Sequence, residues 1–105
     1  MATQQQINSA AESFVSAWLI RNGYRTNLDI RQAGAVDFEA VGSKASLFVE
    51  VKVAVSPNAP PDLSAEELER IKKKATSSGY QAWLAKVTVD SEANPVGEIG
   101  WRRLV

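Results

Sequence analysis

Two carboxylates and one amine stand out for where they sit. Asp37 lies within Ala35-Val36-Asp37-Phe38-Glu39, and Glu50 and Lys52 lie within the apolar run ASLFVEVKVAV, residues 45–55. A run this rich in Val and Phe reads as a strand of the buried sheet. Strand side chains alternate, so Phe48, Glu50 and Lys52 share one face while Leu47, Val49, Val51 and Val53 share the other. One face is continuously apolar; the other turns polar at Glu50 and Lys52. An unpaired buried charge is costly, so these two groups must be paired, solvated in a cleft, or bound to something. If the two strands form a hairpin about Gly42-Ser43, Asp37 comes close to Glu50. Two carboxylates so placed repel unless a cation or a shared proton lies between them. A divalent metal is the natural occupant, and Lys52 beside it could orient or deprotonate a metal-bound water or stabilise an anionic transition state.

Composition narrows the chemistry further. The chain has no His and no Cys. That removes Ser-His-Asp triads, Cys-His pairs, and zinc sites built on Cys or His. Any metal must then be held by oxygens, which favours Mg²⁺ or Mn²⁺. The formal net charge is zero, whereas a strong nucleic-acid binder usually carries a basic surplus. The length of 105 residues points to one domain, 1–105, with an ordinary globular core. No apolar run approaches the roughly 18–20 residues of a membrane span. The start, MATQQQINSA, has no secretory pattern, and the lack of Cys fits a cytoplasmic protein.

The elements that must position these groups follow from local signals. Ile7, Ala10, Ala11, Phe14, Val15 and Trp18 mark one face of a first helix. Thr3 with Gln6 forms its capping box, and Asn22-Gly23 stops it. Strands are expected over 24–31, 35–41 and 45–55, with Gly42-Ser43 as a turn and SPNAPPD, 56–62, as a loop. In Leu63-Ser64-Ala65-Glu66-Glu67-Leu68, Ser64 caps a second helix, Glu67 completes the box, and Leu63 meets Leu68. Gly79 closes that helix. A fourth strand is expected over 80–89 and a last, edge strand over 98–105. The order α-β-β-β-α-β-β implies an α/β fold, a mixed central sheet flanked by helices.

GAVDFEA, then 12 residues between the Asp and the Glu, then FVEVK resembles the PD-(D/E)xK nuclease superfamily, in its small Holliday-junction-resolvase-like flavour. The resemblance covers roughly residues 10–90 and extends to the order of elements. It implies a restriction-endonuclease-like fold and Mg²⁺- or Mn²⁺-dependent hydrolysis of DNA phosphodiesters. It gives metal binding to Asp37, Glu50 and the backbone carbonyl of Val51, the role of catalytic base to Lys52, and a further acid from the first helix to Glu12. Val36 stands where the motif has Pro, and Val53-Ala54-Val55 follows Lys52 where many relatives carry a polar or basic residue. A chain this small that cuts both strands of a branched or other DNA would need a homodimer or a larger complex.

Other polar residues carry plainer alternatives. Ser9-Ala10-Ala11-Glu12 is itself a capping box if the first helix starts late. Glu39 is a further acid near the site or a solvated one. Lys72, Lys73 and Lys74 track a phosphate backbone or complement a helix C-terminus. Arg102 and Arg103 beside Trp101 contact nucleic acid or guard an edge strand. Gln81 is a polar group near the site or a strand-end amide, and Trp18 and Trp83 belong to the core. For the whole chain, the alternatives to a nuclease are a non-catalytic binding or assembly module of the same fold, and a plain buried ion network of Asp37, Glu50 and Lys52.

Overall fold

A computed structural model of the chain describes residues 1–28 and 37–105, and of Leu28 and Asp37 it describes the backbone alone. Helix α1 runs over Gln4–Arg21. Its capping box is formed as the sequence predicts: Gln6 N donates to Thr3 Oγ1 at 3.1 Å, and Thr3 N donates to Gln6 Oε1 at 2.8 Å. Those two bonds satisfy amides that a helix start otherwise leaves without partners.

Strands β1 (Arg25–Leu28), β2 (Asp37–Val41) and β3 (Ser46–Val55) follow. The strand ends expected at 29–31 and 35–36 lie outside the described residues. The β2–β3 hairpin turns at Gly42, whose N–H donates to the Ala45 carbonyl at 3.0 Å. A Cβ at Gly42 would lie 2.7 Å from the Tyr24 ring and 2.8 Å from that carbonyl. The turn therefore takes glycine for space, since the carbonyl is backbone and cannot swing away.

Helix α2 (Ala65–Ser78) then crosses from β3 to β4 (Gln81–Val89), and β5 (Gly100–Arg103) ends the sheet. Ser64 caps α2 with Glu67 completing the box, and Gly79 closes it in the left-handed region at φ 72°. The five strands lie in the order β1-β2-β3-β4-β5. Among the described strands only β3 and β4 are parallel, joined by the helical crossover; the other pairs are antiparallel. This is the mixed sheet flanked by helices that the sequence predicts, with β5 on the edge.

The alternation of β3 distributes the core. Leu47 and Val49 pack with Ile7, Ala11, Val15 and Leu19 of α1. Phe48 packs with Ile71 and Ala75 of α2 and with Ala82 of β4. The two helices thus cover opposite faces, and each fully buried Leu or Val contributes about 1.5–3 kcal/mol. The buried stripe of α1 is Ile7, Ala11, Glu12, Val15 and Leu19. It is rolled away from the expected face, leaving Ala10, Phe14 and Trp18 half-buried on its flank. Trp18 leans instead on Trp101, with ring centroids 4.9 Å apart. Among the described residues no helix is long and apolar enough to cross a membrane.

Candidate active site

Strand pairing brings the first two candidates together. Asp37 is the register partner of Glu50 in the antiparallel β2–β3 pair. Directly opposed residues of such a pair have Cα atoms roughly 4.5–5.5 Å apart. The side chain of Asp37 lies outside the described residues. β2 pairs with β3 only as far as Glu50, so from Val51 onward β3 has a described strand partner only on its β4 side. Glu50 and Lys52 flank Val51 on this strand.

A cleft of about 180 Å³ opens there. Gln4, Asn8 and Glu12, each one helical turn from the next, line it from α1; Glu50, Val51, Lys52 and Val53 line it from β3, and Pro61 from the loop. Glu12 is therefore brought to the same cleft as the Glu50-Val51-Lys52 tripeptide. It is no helix cap, because α1 begins eight residues earlier behind Thr3. Glu12 and Glu50 are the buried charged residues among those described, at 8% and 2% exposure. Two buried carboxylates in one cleft are a costly arrangement without compensating positive charge.

Part of that charge comes from α2. Arg70 Nη2 stands 3.7 Å from Glu50 Oε1. Lys52 Nζ donates to Glu67 Oε2 at 2.6 Å, both side chains being about three-quarters buried. Burial acts to raise the Glu67 pKa, but the bonds from Lys52 and Ser64 outweigh it and hold the carboxyl below its ordinary value. One strand over, Lys86 is the register partner of Lys52. Lys86 bonds to Asp62, and Arg102 lies 3.6 Å from the same carboxylate. The Lys86 hydrogen bond is the main reason that Asp62 also has a depressed pKa.

Sequence reasoning did not single out Arg70, Asp62 or Lys86, nor a role in the site for Glu67. Arg70 and Lys86 look like ordinary surface cations until the crossover and the parallel register bring them beside Glu50 and Lys52. Glu67 was legible only as a helix cap. The same phrase held a usable signal, since a capping acid at the start of a crossover helix lies at the end of the strand before it.

Other candidates lie elsewhere. Glu39 accepts from the Tyr80 hydroxyl at 3.1 Å and from Asn27 at 3.3 Å, and does not line the cleft. The Glu39 bond, followed by burial, raises the Tyr80 pKa. Gln81 pairs with Leu47, at the far end of β3, and accepts from Trp83 Nε1 at 2.9 Å. It borders a second, apolar cavity of about 290 Å³ with Trp18, Trp83 and Trp101. Trp18 and Trp83 are half-buried, packed against the core as expected while also walling this cavity. Lys72, Lys73 and Lys74 fall short of the last turn of α2, which carries no basic residue, so the helix C-terminus does not account for them. Lys74 Nζ lies over the Phe48 ring, 4.6 Å from its centroid. Arg102 and Arg103 sit on the edge strand β5.

The donor set fits a hard divalent cation: carboxylates of Glu12 and Glu50 on one cleft, Val51 on its wall, and Asp37 opposite Glu50, all oxygen donors. Among the described residues no group of three or more acidic, His or Cys side chains is gathered as a metal cluster. The Asp37 carboxylate lies outside them.

No family model and no curated protein matches this sequence. Among solved structures, the fold is similar to that of Hjc from Archaeoglobus fulgidus, a Holliday junction resolvase from an archaeal hyperthermophile. The likeness has a TM-score of 0.64 at 23% identity, over 91% of this chain and 71% of that one. The fold is therefore the one that the sequence resemblance implied.

Proposed function

We propose that this chain is a single-domain, metal-dependent nuclease that hydrolyses DNA phosphodiesters, with branched DNA as its substrate. The observation that carries the reading is the register of Asp37 against Glu50, with Lys52 on the same strand and Glu12 in the same cleft. Likeness of fold to a Holliday junction resolvase supports DNA with a junction as the partner. By itself a fold says little of function, so the weight rests on the site.

Asp37, Glu50 and the Val51 carbonyl would hold Mg²⁺ or Mn²⁺, with Glu12 as a further acid. When bound, the metal supplies positive charge to the phosphate and lowers the pKa of water. Lys52 lies two residues along from Glu50. It orients the attacking water and offsets the charge that builds on the phosphate oxygens. Because Glu50 is buried, its carboxylate would act on a bound cation with little screening by bulk water.

The test is incubation with plasmid, linear, single-stranded and four-way-junction DNA in Mg²⁺ or Mn²⁺. Cutting of the junction, abolished by chelation of the metal, is expected. No cutting of any substrate would overturn the reading. A second reading, a non-catalytic binding or assembly module, draws on zero net charge and on the pairing of Lys52, Lys86 and Arg102 with carboxylates. It predicts DNA or protein binding without metal-dependent turnover.

A further inference from the structure

Glu67 holds two partners at once. Oε1 accepts from Ser64 N at 2.9 Å, closing the cap of α2, and Oε2 accepts from Lys52 Nζ at 2.6 Å. Both carboxylate oxygens are thereby fixed, one to the helix start and one to the amine of β3. Glu67 lies in the first turn of α2, where the helix dipole favours its negative charge. Its anchor is therefore rigid on two counts, backbone and electrostatic.

Lys52 needs such an anchor. On its own strand the nearest acid on the same face is Glu50, about 6.6 Å along at two strand residues. An ammonium on a flexible four-carbon stem would swing toward a buried carboxylate at that distance. Arg70 already stands 3.7 Å from that carboxylate, so such a swing would crowd a second cation onto Glu50 and leave the cleft wall without its amine. Across the ladder, Lys86 repels it. Lys86 and Arg102 already share Asp62, so Asp62 is committed. Glu67 is the carboxylate that draws Lys52 toward α2.

We propose that Glu67 is a positioning residue for Lys52: its carboxylate, anchored at the cap of α2, holds the Lys52 amine at a fixed point on the cleft wall. This inference rests on the nuclease reading above. It adds to that reading a residue that the Glu-x-Lys spacing does not contain, supplied by the crossover helix.

Two substitutions separate positioning from structure. Glu67→Gln keeps an amide oxygen for the Ser64 N–H, since Gln serves a capping box as Glu does, but it loses the charge that draws Lys52. Ser64→Ala removes the cap hydroxyl, which accepts from Glu67 N at 3.1 Å, and leaves the Glu67 carboxylate in place. The experiment is single-turnover cleavage of a four-way DNA junction in Mn²⁺ by wild type, Lys52→Ala, Glu67→Gln and Ser64→Ala. Melting temperatures and substrate affinity are measured alongside.

Glu67→Gln is expected to lose roughly 10- to 100-fold in the cleavage rate, the scale on which a misplaced group acts. It should keep wild-type affinity and, having lost only the Lys52 ion pair, fall less in melting temperature at neutral pH than Ser64→Ala. Ser64→Ala is expected to melt earlier and cut at the wild-type rate. In the Lys52→Ala background, adding Glu67→Gln should cost nothing more. Glu67→Gln cutting as fast as an active wild type overturns the inference alone. A slow Glu67→Gln whose melting temperature falls as far as that of Ser64→Ala also overturns it, by making Glu67 merely structural. A wild type that does not cut at all sinks the nuclease reading, and the inference falls with it.

Discussion

Lys52 and Lys86 are register partners on the parallel strands β3 and β4, and a different carboxylate takes each: Glu67 for Lys52 and Asp62 for Lys86. Two like charges at neighbouring positions on a sheet would destabilise it if left to face each other. Here the stretch that leads from β3 into α2 divides them. The division also sets which amine belongs to the cleft, since Lys52 borders it and Lys86 does not.

Acid should weaken this arrangement. Glu67, Asp62 and Asp90 all have pKa values depressed in the folded state. A depressed carboxyl stabilises the fold fully above its unfolded pKa, about 3.9 for Asp and 4.3 for Glu. That stability is lost as pH falls through the folded value. The melting temperature should therefore be flat from pH 7 to about 5 and fall below about 4. Glu67→Gln should make the acid side of the profile shallower, which a pH series of thermal melts would show; an unchanged slope would contradict the role given to the Lys52 bond.

The two acids of uncertain standing in the sequence should behave oppositely. Glu12 lines the cleft, whereas Glu39 is bound to Tyr80 and Asn27 away from it. Glu12→Gln is expected to slow junction cleavage by about 10-fold or more, on the scale of lost electrostatic groups. Glu39→Gln should leave the rate unchanged. Equal effects of the two on the rate would remove Glu12 from the site.

Metal should stabilise the protein through the same carboxylates. A cation that binds only the folded state, at 100 times its Kd, adds about 2.7 kcal/mol. Mn²⁺ should raise the melting temperature of wild type, and Asp37→Asn and Glu50→Gln should abolish the rise. Calorimetric titration reads the same binding directly. A shift that survives both substitutions would mean that the metal sits elsewhere.

Leu19 gives a check on the fold. It is fully buried beneath α1, though the expected face of that helix ended at Trp18. Leu19→Ala should cost about 2–5 kcal/mol by denaturant unfolding, while Ile20→Ala, at an exposed position, should cost little.

That contrast shows how much the sequence discloses. Both capping boxes, the Gly42 turn, the alternation of β3 and the parallel crossover were legible, because each rests on local chemistry or on a period of two. From these came the Asp37–Glu50 register. The roll of α1 was not legible, because a stripe with apolar residues on both flanks leaves the rotation to tertiary packing. Here Trp101 drew Trp18 to the flank and left Leu19 inside. The partners of Lys52 and Glu50 were equally out of reach. Glu67 and Arg70 are 15 and 20 residues away along the chain, and only the crossover returns them.

The central claim is most directly tested by incubating wild type and Lys52→Ala with a four-way DNA junction and Mg²⁺ or Mn²⁺. The account predicts metal-dependent cutting by wild type. It predicts a loss of at least about 10²-fold in Lys52→Ala, the low end of what a positioned acid–base group contributes, with the fold intact by circular dichroism. Cutting by Lys52→Ala at the wild-type rate, or no cutting by wild type in either metal, would contradict it.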